Sequence, residues 1–104
     1  MGGFAAVSKL PPNAQQEEAK GRRYPVACKT WFTSEGEVLP LSFKFKDDNG
    51  ELQMVKHLTV KWSEDRNYSG IPSKEFLCEA VIGGFLREFR MIFDTGSCEW
   101  KLVI

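Results

Sequence analysis

The sequence contains no long hydrophobic run. Its longest stretch without a polar side chain is Ala80–Leu86, seven residues that include two glycines, whereas a helix that spans a membrane needs about 20 apolar residues. The N-terminus also lacks the cationic start and apolar segment that form a secretory signal. We therefore expect a cytoplasmic protein that makes no contact with a membrane.

An excess of charge of one sign is also absent. Fourteen Lys and Arg balance fourteen Asp and Glu in a chain of 104 residues, which is the length of one small domain. A surface that attracts nucleic acid or anionic lipid over a long range is not expected from a balanced composition. Hydrophobic residues make up 42% of the chain, which is enough to form a core.

Metal-binding and nucleophilic residues are few. His57 is the only histidine, and Cys28, Cys78 and Cys98 are far apart in the sequence, whereas a zinc site usually takes two thiolates from one short turn. An odd number of cysteines without a secretory signal favours free thiols. We expect no metal, no cofactor and no catalytic Ser–His or Cys–His pair, and thus no enzyme.

The N-terminal residues differ in composition from the rest of the chain. Pro11 and Pro12 interrupt regular structure, and residues 15–20 offer almost no apolar side chain to bury. We predict a flexible tail over residues 1–22 and a single domain over residues 23–104.

From Tyr24 onward, apolar residues recur at every second position, which places them on one face of a β-strand. Glycine-containing segments between these stretches are typical of hairpin turns. The pattern predicts an all-β fold with a six-stranded antiparallel meander that forms a bent sheet or a small, partly open barrel. The predicted strands lie near residues 24–33, 38–46, 52–63, 75–82, 85–93 and 98–103. The expected core includes Leu52, Met54, Leu58, Val60, Trp62, Phe85, Phe89, Met91 and Phe93.

One part of this pattern allows an alternative. Residues 64–73 contain Gly70 and Pro72 and are predicted to form the one longer loop. Ser73 could then cap a short helix over residues 73–82, which would make the fold α+β. In the all-β interpretation, Glu75 and Glu79 point outward as solvated strand residues.

The segment Met91-Ile92-Phe93-Asp94-Thr95-Gly96-Ser97 resembles the Asp-Thr-Gly-Ser signature of aspartic proteases. This resemblance implies a dimer in which two aspartates share a proton and activate water. The resemblance ends after seven residues, and the chain after Asp94 is too short for the later elements of that family. Asp and Gly are also what a tight hairpin turn requires, and we interpret the segment as a turn.

A second resemblance covers most of residues 24–103. It depends on Pro25 and Cys28, on the Gly36 turn followed by Pro40, on Phe76-x-Cys78 before Val81-x-Gly83, and on the closing Cys98-Glu99-Trp100-Lys101-Leu102. These positions look like those of short bacterial proteins of this size that have no assigned activity. The resemblance implies a compact β domain that stands alone and implies no reaction.

The outward positions of the first three predicted strands combine basic and aromatic side chains, namely Lys29, Trp31, Lys44, Lys46, His57 and Lys61. An exposed tryptophan is typical of protein interfaces. We therefore predict a non-catalytic protein-interaction module, either a monomer or a small homo-oligomer. Lysines around an aromatic ring are also typical of surfaces that bind single-stranded nucleic acid, which is the alternative.

Overall fold

The structure, a computed structural model, describes residues 21–104 except for the side chain of Tyr68. The predicted tail over residues 1–22 thus lies outside the described residues apart from its last two. Of these two, Arg22 exchanges two backbone hydrogen bonds with Ile104, at 2.9 and 3.1 Å.

The described residues form seven β-strands. These are β1 (Arg23–Phe32), β2 (Val38–Lys46), β3 (Leu52–Val55), β4 (Thr59–Tyr68), β5 (Ile71–Ile82), β6 (Phe85–Asp94) and β7 (Glu99–Val103). They pair antiparallel in one sheet of order β3-β2-β1-β7-β6-β5-β4, which confirms the all-β class. Among residues 21–104 there is no helix of the length and apolar character that could cross a membrane.

The segment around residues 64–82 is a long hairpin. The prediction of a loop over residues 64–73 is wrong. These residues belong to β4 and β5, which pair continuously from Tyr68 opposite Ile71 to Glu64 opposite Glu75. The chain turns at Ser69 and Gly70, whose φ angles of 52° and 85° suit a two-residue hairpin turn. The alternative helix over residues 73–82 is also wrong, because this segment is β5 and pairs with β6 along its length.

The predicted strand over residues 52–63 is divided into β3 and β4. Lys56–Leu58 connect them, and His57 takes a φ of 59° there, a left-handed conformation that ends the extended run. Further along, Lys61 is an extra residue in β4. Val60 and Trp62 are two positions apart in β4, but their partners in β5, Cys78 and Leu77, are adjacent. This bulge moves Trp62 to the face opposite Val60.

The sheet is open but strongly curled. Its edge strands are β3 and β4, and a flat sheet of seven strands would hold its edges about 29 Å apart. The three residues Lys56–Leu58 that connect these edges reach at most about 14 Å. The curled sheet has two halves, β2–β3 and β4–β7, and β1 connects them. Its residues Arg23–Val26 pair with β7, and its residues Ala27–Phe32 pair with β2.

The concave face of the curled sheet holds the core. Aromatic rings form much of it, with ring centroids 5.6 Å apart for Phe43 and Phe89 and 4.9 Å apart for Phe93 and Trp100. Phe89, Met91 and Phe93 are buried as predicted. The alternation along β6 therefore identified its inner face correctly.

Several predicted core residues are exposed instead. Val55 lies opposite Phe43 and is buried, so Leu52 and Met54 point to the outer face of β3. Phe85 is 74% exposed, because it begins β6 at the tip of the β5–β6 hairpin, beyond the core. Trp62 is exposed as well, because the bulge before it reverses its direction.

Candidate binding site

A surface rich in lysine covers the outer face of β1–β3. We call it the basic face and define it by Lys29, Trp31, Leu39, Lys44, Lys46, Leu52 and Met54. The strand register brings these side chains together: Lys44 lies opposite Ala27 on one side and Met54 on the other. In the same way Trp31 lies opposite Leu39. Lysine and apolar side chains thus alternate across a single surface.

Trp31 is the largest side chain of the basic face and is 62% exposed. Its neighbour in the chain, Phe32, lies on the other face, where its ring centroid is 5.9 Å from that of Phe93. Because successive residues of a strand point to opposite faces, this contact directs Trp31 to solvent. An exposed indole beside a half-exposed leucine, Leu39, is an apolar contact point on this surface.

The charged side chains on the strands of the basic face are all basic. The strands β1, β2 and β3 contain no Asp or Glu. Within residues 21–104, no carboxylate forms an ion pair with Lys29, Lys44 or Lys46. Between Lys29, Lys44 and Met54 there is an open depression of about 350 Å³. Around a shallow concavity the face therefore carries three lysines that form no ion pair within the described chain, and it lies between the acidic β1–β2 and β2–β3 turns.

Two of the predicted surface residues lie apart from this group. His57 is exposed in the connection between β3 and β4 rather than on a strand. Lys61 lies on β4, where its Nζ is 2.8 Å from Oε2 of Glu88. The hydrogen bond and the charge of Glu88 raise the pKa of Lys61. Lys61 therefore has a partner on its own half of the sheet.

A cluster of charged residues on the outer face of β4–β6 was not predicted. Glu75 is fully buried, and its two oxygens lie 3.3 Å from Nε of Arg66 and 3.1 Å from Nε of Arg90. Arg66 is also 3.0 Å from Oε2 of Glu64. The prediction of a solvated Glu75 is wrong because the arginines reach it from the strands on either side, and Ile92 lies opposite it on β6. Arg66 falls within the loop predicted over residues 64–73, so its contact with Glu75 was not expected.

Asp94 holds the turn between β6 and β7. Its Oδ1 accepts hydrogen bonds from the backbone N–H groups of Gly96, at 2.8 Å, and Ser97, at 3.1 Å. Its carbonyl oxygen accepts a third from Cys98, at 2.7 Å. The bonds from Ser97 and Gly96 lower the pKa of Asp94. The Asp-Thr-Gly-Ser segment thus has the hydrogen bonding of a turn.

We expect Asp94→Asn to lower the melting temperature at pH 7, because the ionised carboxylate is the stronger acceptor for the two N–H groups. A carboxylate whose pKa is lowered in the folded state stabilises the fold at pH values above its ordinary pKa near 4. This stabilisation is lost as the pH falls through the lowered pKa. The difference between variant and wild type should therefore shrink in acid. Thermal melts at neutral and acid pH measure it, with Glu51→Gln as the control. Equal stability at pH 7 would contradict this role.

The three cysteines differ in burial. Cys78 is buried, Cys28 is half-buried and Cys98 is exposed, all as free thiols. Burial raises the pKa of Cys28, and it raises the pKa of Cys78 to about 12. In the part of the chain that is described, no three His, Cys, Asp or Glu side chains are placed to hold a metal ion.

No family model, curated protein or solved structure matches the chain. The function is therefore inferred from the chemistry of the described surface.

Proposed function

We propose that the protein is a non-catalytic interaction module that binds an acidic segment of a partner protein through the basic face. The observation that carries this proposal is the exposed Trp31 beside Leu39 on strands that contain three lysines and no carboxylate. Tryptophan is enriched among the residues that dominate binding energy in protein interfaces. The lysines add attraction for carboxylates and help to orient the partner.

The balance of apolar groups favours a protein over a nucleic acid. Leu39, Leu52 and Met54 are exposed on the same face and are aliphatic, so bases cannot stack on them. Surfaces that bind single strands usually offer several aromatic rings in succession. The basic face offers one, Trp31. Aliphatic side chains between lysines suit a partner that alternates acidic and apolar residues.

Binding of single-stranded nucleic acid is the second candidate, and Trp31 is the observation in its favour. One base could stack on the indole while Lys29 and Lys44 contact phosphates. Such binding would weaken steeply with salt for any sequence. Acidic-peptide binding would instead depend on both the charge and the apolar side chains of the peptide.

The test is an NMR titration of the ¹⁵N-labelled protein with three probes. They are a peptide of alternating Glu and Leu, a matched peptide of alternating Lys and Leu, and a single-stranded oligothymidine. We expect the Glu–Leu peptide alone to shift the amide signals of Lys29, Trp31, Lys44 and Met54. The Lys–Leu peptide should leave these four signals unchanged. Trp31→Ala should weaken this binding by about tenfold or more while the rest of the spectrum is retained.

Lys44→Ala and Lys101→Ala form a matched pair of controls. Both lysines are exposed and lie within strands, but Lys101 is on β7, outside the basic face. Only Lys44→Ala should weaken binding of the Glu–Leu peptide. Shifts of the same amides by oligothymidine and not by the peptide would replace the proposal with the nucleic-acid function. An unchanged spectrum with all three probes would reject both.

A further inference from the structure

The curled sheet leaves a seam between β2 and β4. β3 pairs only with residues Phe43–Lys46 of β2, so the Val38–Leu41 part of β2 has no strand from residues 21–104 along its outer edge. Among the described residues, β4 pairs with β5 alone, and its other edge faces the same seam. Within the described part of the chain, one backbone hydrogen bond crosses the region, from the N–H of Leu58 to the carbonyl oxygen of Leu41, at 3.3 Å.

A groove of about 270 Å³ lies in this seam. Residues 35–39 of the β1–β2 turn and the start of β2 form one wall, and residues 63–65 of β4 form the other. Phe76 lines the groove from β5, and its ring centroid is 5.3 Å from that of Trp100 in the core. The groove therefore lies between the start of β2 and an edge of β4 that has no paired strand among residues 21–104, with Phe76 almost fully buried at its base.

The walls of the groove are acidic. Glu35 and Glu37 lie on one side, and Glu64 and Asp65 lie on the other. Asp65 is neutralised by Nζ of Lys74 at 2.7 Å, and Glu64 pairs with Arg66 at 3.0 Å. Within residues 21–104, neither Glu35 nor Glu37 forms an ion pair with a basic side chain. Negative charge thus remains on the wall formed by the β1–β2 turn.

We propose that an extended segment of a partner protein, bearing Lys or Arg at alternate positions, adds as a β-strand to the free edge of β4 in this seam. An exposed strand edge binds extended peptides through main-chain hydrogen bonds, and pockets for alternate side chains supply specificity. Here Leu39 and the edge of the buried Phe76 line the groove and can contact an apolar side chain. Glu35 and Glu37 attract the basic ones. This site shares only Leu39 with the basic face and requires the opposite charge on its ligand.

The probe is a short peptide of alternating Lys and Val, together with two analogues in which alternate backbone nitrogens are methylated. Each analogue blocks hydrogen bonding along one edge of the bound strand and keeps every side chain. We expect the parent peptide to shift amides of residues 36–39 and 62–66 and to slow their hydrogen exchange. At least one methylated analogue should bind about tenfold more weakly, because it cannot pair with β4.

Side-chain variants test the charge of the site. Glu37→Gln and Glu35→Gln should each weaken binding of the Lys–Val peptide about two- to fivefold, as expected for exposed ion pairs. Glu51→Gln is the matched control, because Glu51 belongs to the β2–β3 turn outside the seam. Its affinity for the peptide should equal that of the wild type. A Glu–Val peptide should not bind at this site.

Three results would overturn the proposal. The first is an absence of binding by the Lys–Val peptide. The second is equal affinity of the parent peptide and both methylated analogues, because main-chain pairing would then contribute nothing. The third is occupation of the seam by this protein itself. A concentration-dependent doubling of mass with the same amide shifts would assign the seam to a second copy, and competition by a peptide of residues 1–20 would assign it to the N-terminal segment.

Discussion

Replacing Phe43 with alanine is expected to lower the free energy of unfolding by about 3–5 kcal/mol. Phe43 lies in β2, only 2% exposed, with its ring centroid 5.9 Å from Phe45 and 5.6 Å from Phe89. Removal of the ring leaves a cavity between the two halves of the curled sheet. The neighbouring strands cannot close it without moving the core. Equilibrium unfolding in urea, followed by circular dichroism, measures the loss.

Phe85→Ala is the matched control for this prediction. Phe85 is the same residue type in the same sheet, but most of its side chain is exposed to solvent. A substitution at such a position usually changes stability by at most about 0.5 kcal/mol. Similar losses for both variants would contradict the inner and outer faces described for β2 and β6.

Glu75→Ala is expected to lower the free energy of unfolding by about 3–5 kcal/mol. Glu75 is fully buried between Arg66 and Arg90, and Arg66 is itself almost entirely buried. Loss of the carboxylate removes the anion that lies between Arg66 and Arg90, while Arg66 keeps its contact with Glu64 at 3.0 Å. The penalty comes from breaking a buried charge network by the removal of one member.

Glu88→Ala is the comparison for Glu75→Ala. Glu88 on β6 also pairs with a cation, Lys61 on β4, across the intervening strand β5, but both side chains are exposed to solvent. An exposed pair of this kind contributes about 0–1 kcal/mol. If Glu75→Ala were as mild as Glu88→Ala in urea unfolding, the buried cluster would not stabilise the sheet.

The alternation of apolar residues was sufficient to predict the fold class and several strands. In β6, Phe89, Met91 and Phe93 follow one another without interruption on the inner face. The same rule failed where the chain changes register within a predicted strand. His57 and the bulge at Lys61 each change the direction of the residues that follow, and neither position is marked by glycine or proline. Leu52 lies before these two positions and Trp62 lies after them. Both were assigned to the inner face together with Val60, and both lie on the outer face.

The candidate sites differ in how far local sequence describes them. Lys29, Trp31 and Lys44 lie within two strands joined by a short hairpin, and alternation places them on one surface. The contacts of Glu75 and of Lys61 depend on the pairing of β4 with β5 and of β5 with β6. The groove between β2 and β4 depends on the curl of the whole sheet. Properties that arise from distant parts of the chain have no local sequence signal.

The pairing of β1 with β7 determines when the fold can be completed during synthesis. Arg23 lies opposite Val103, so β1 can complete its pairing only after β7, the last of the described strands, has been synthesised. The hairpins of β1–β3 and of β4–β7 join neighbouring segments and can form as the chain leaves the ribosome. Until residue 103 has emerged from the exit tunnel, the two groups remain unjoined and their apolar faces stay open to water. Exposed apolar faces of this kind favour aggregation of an incompletely folded chain.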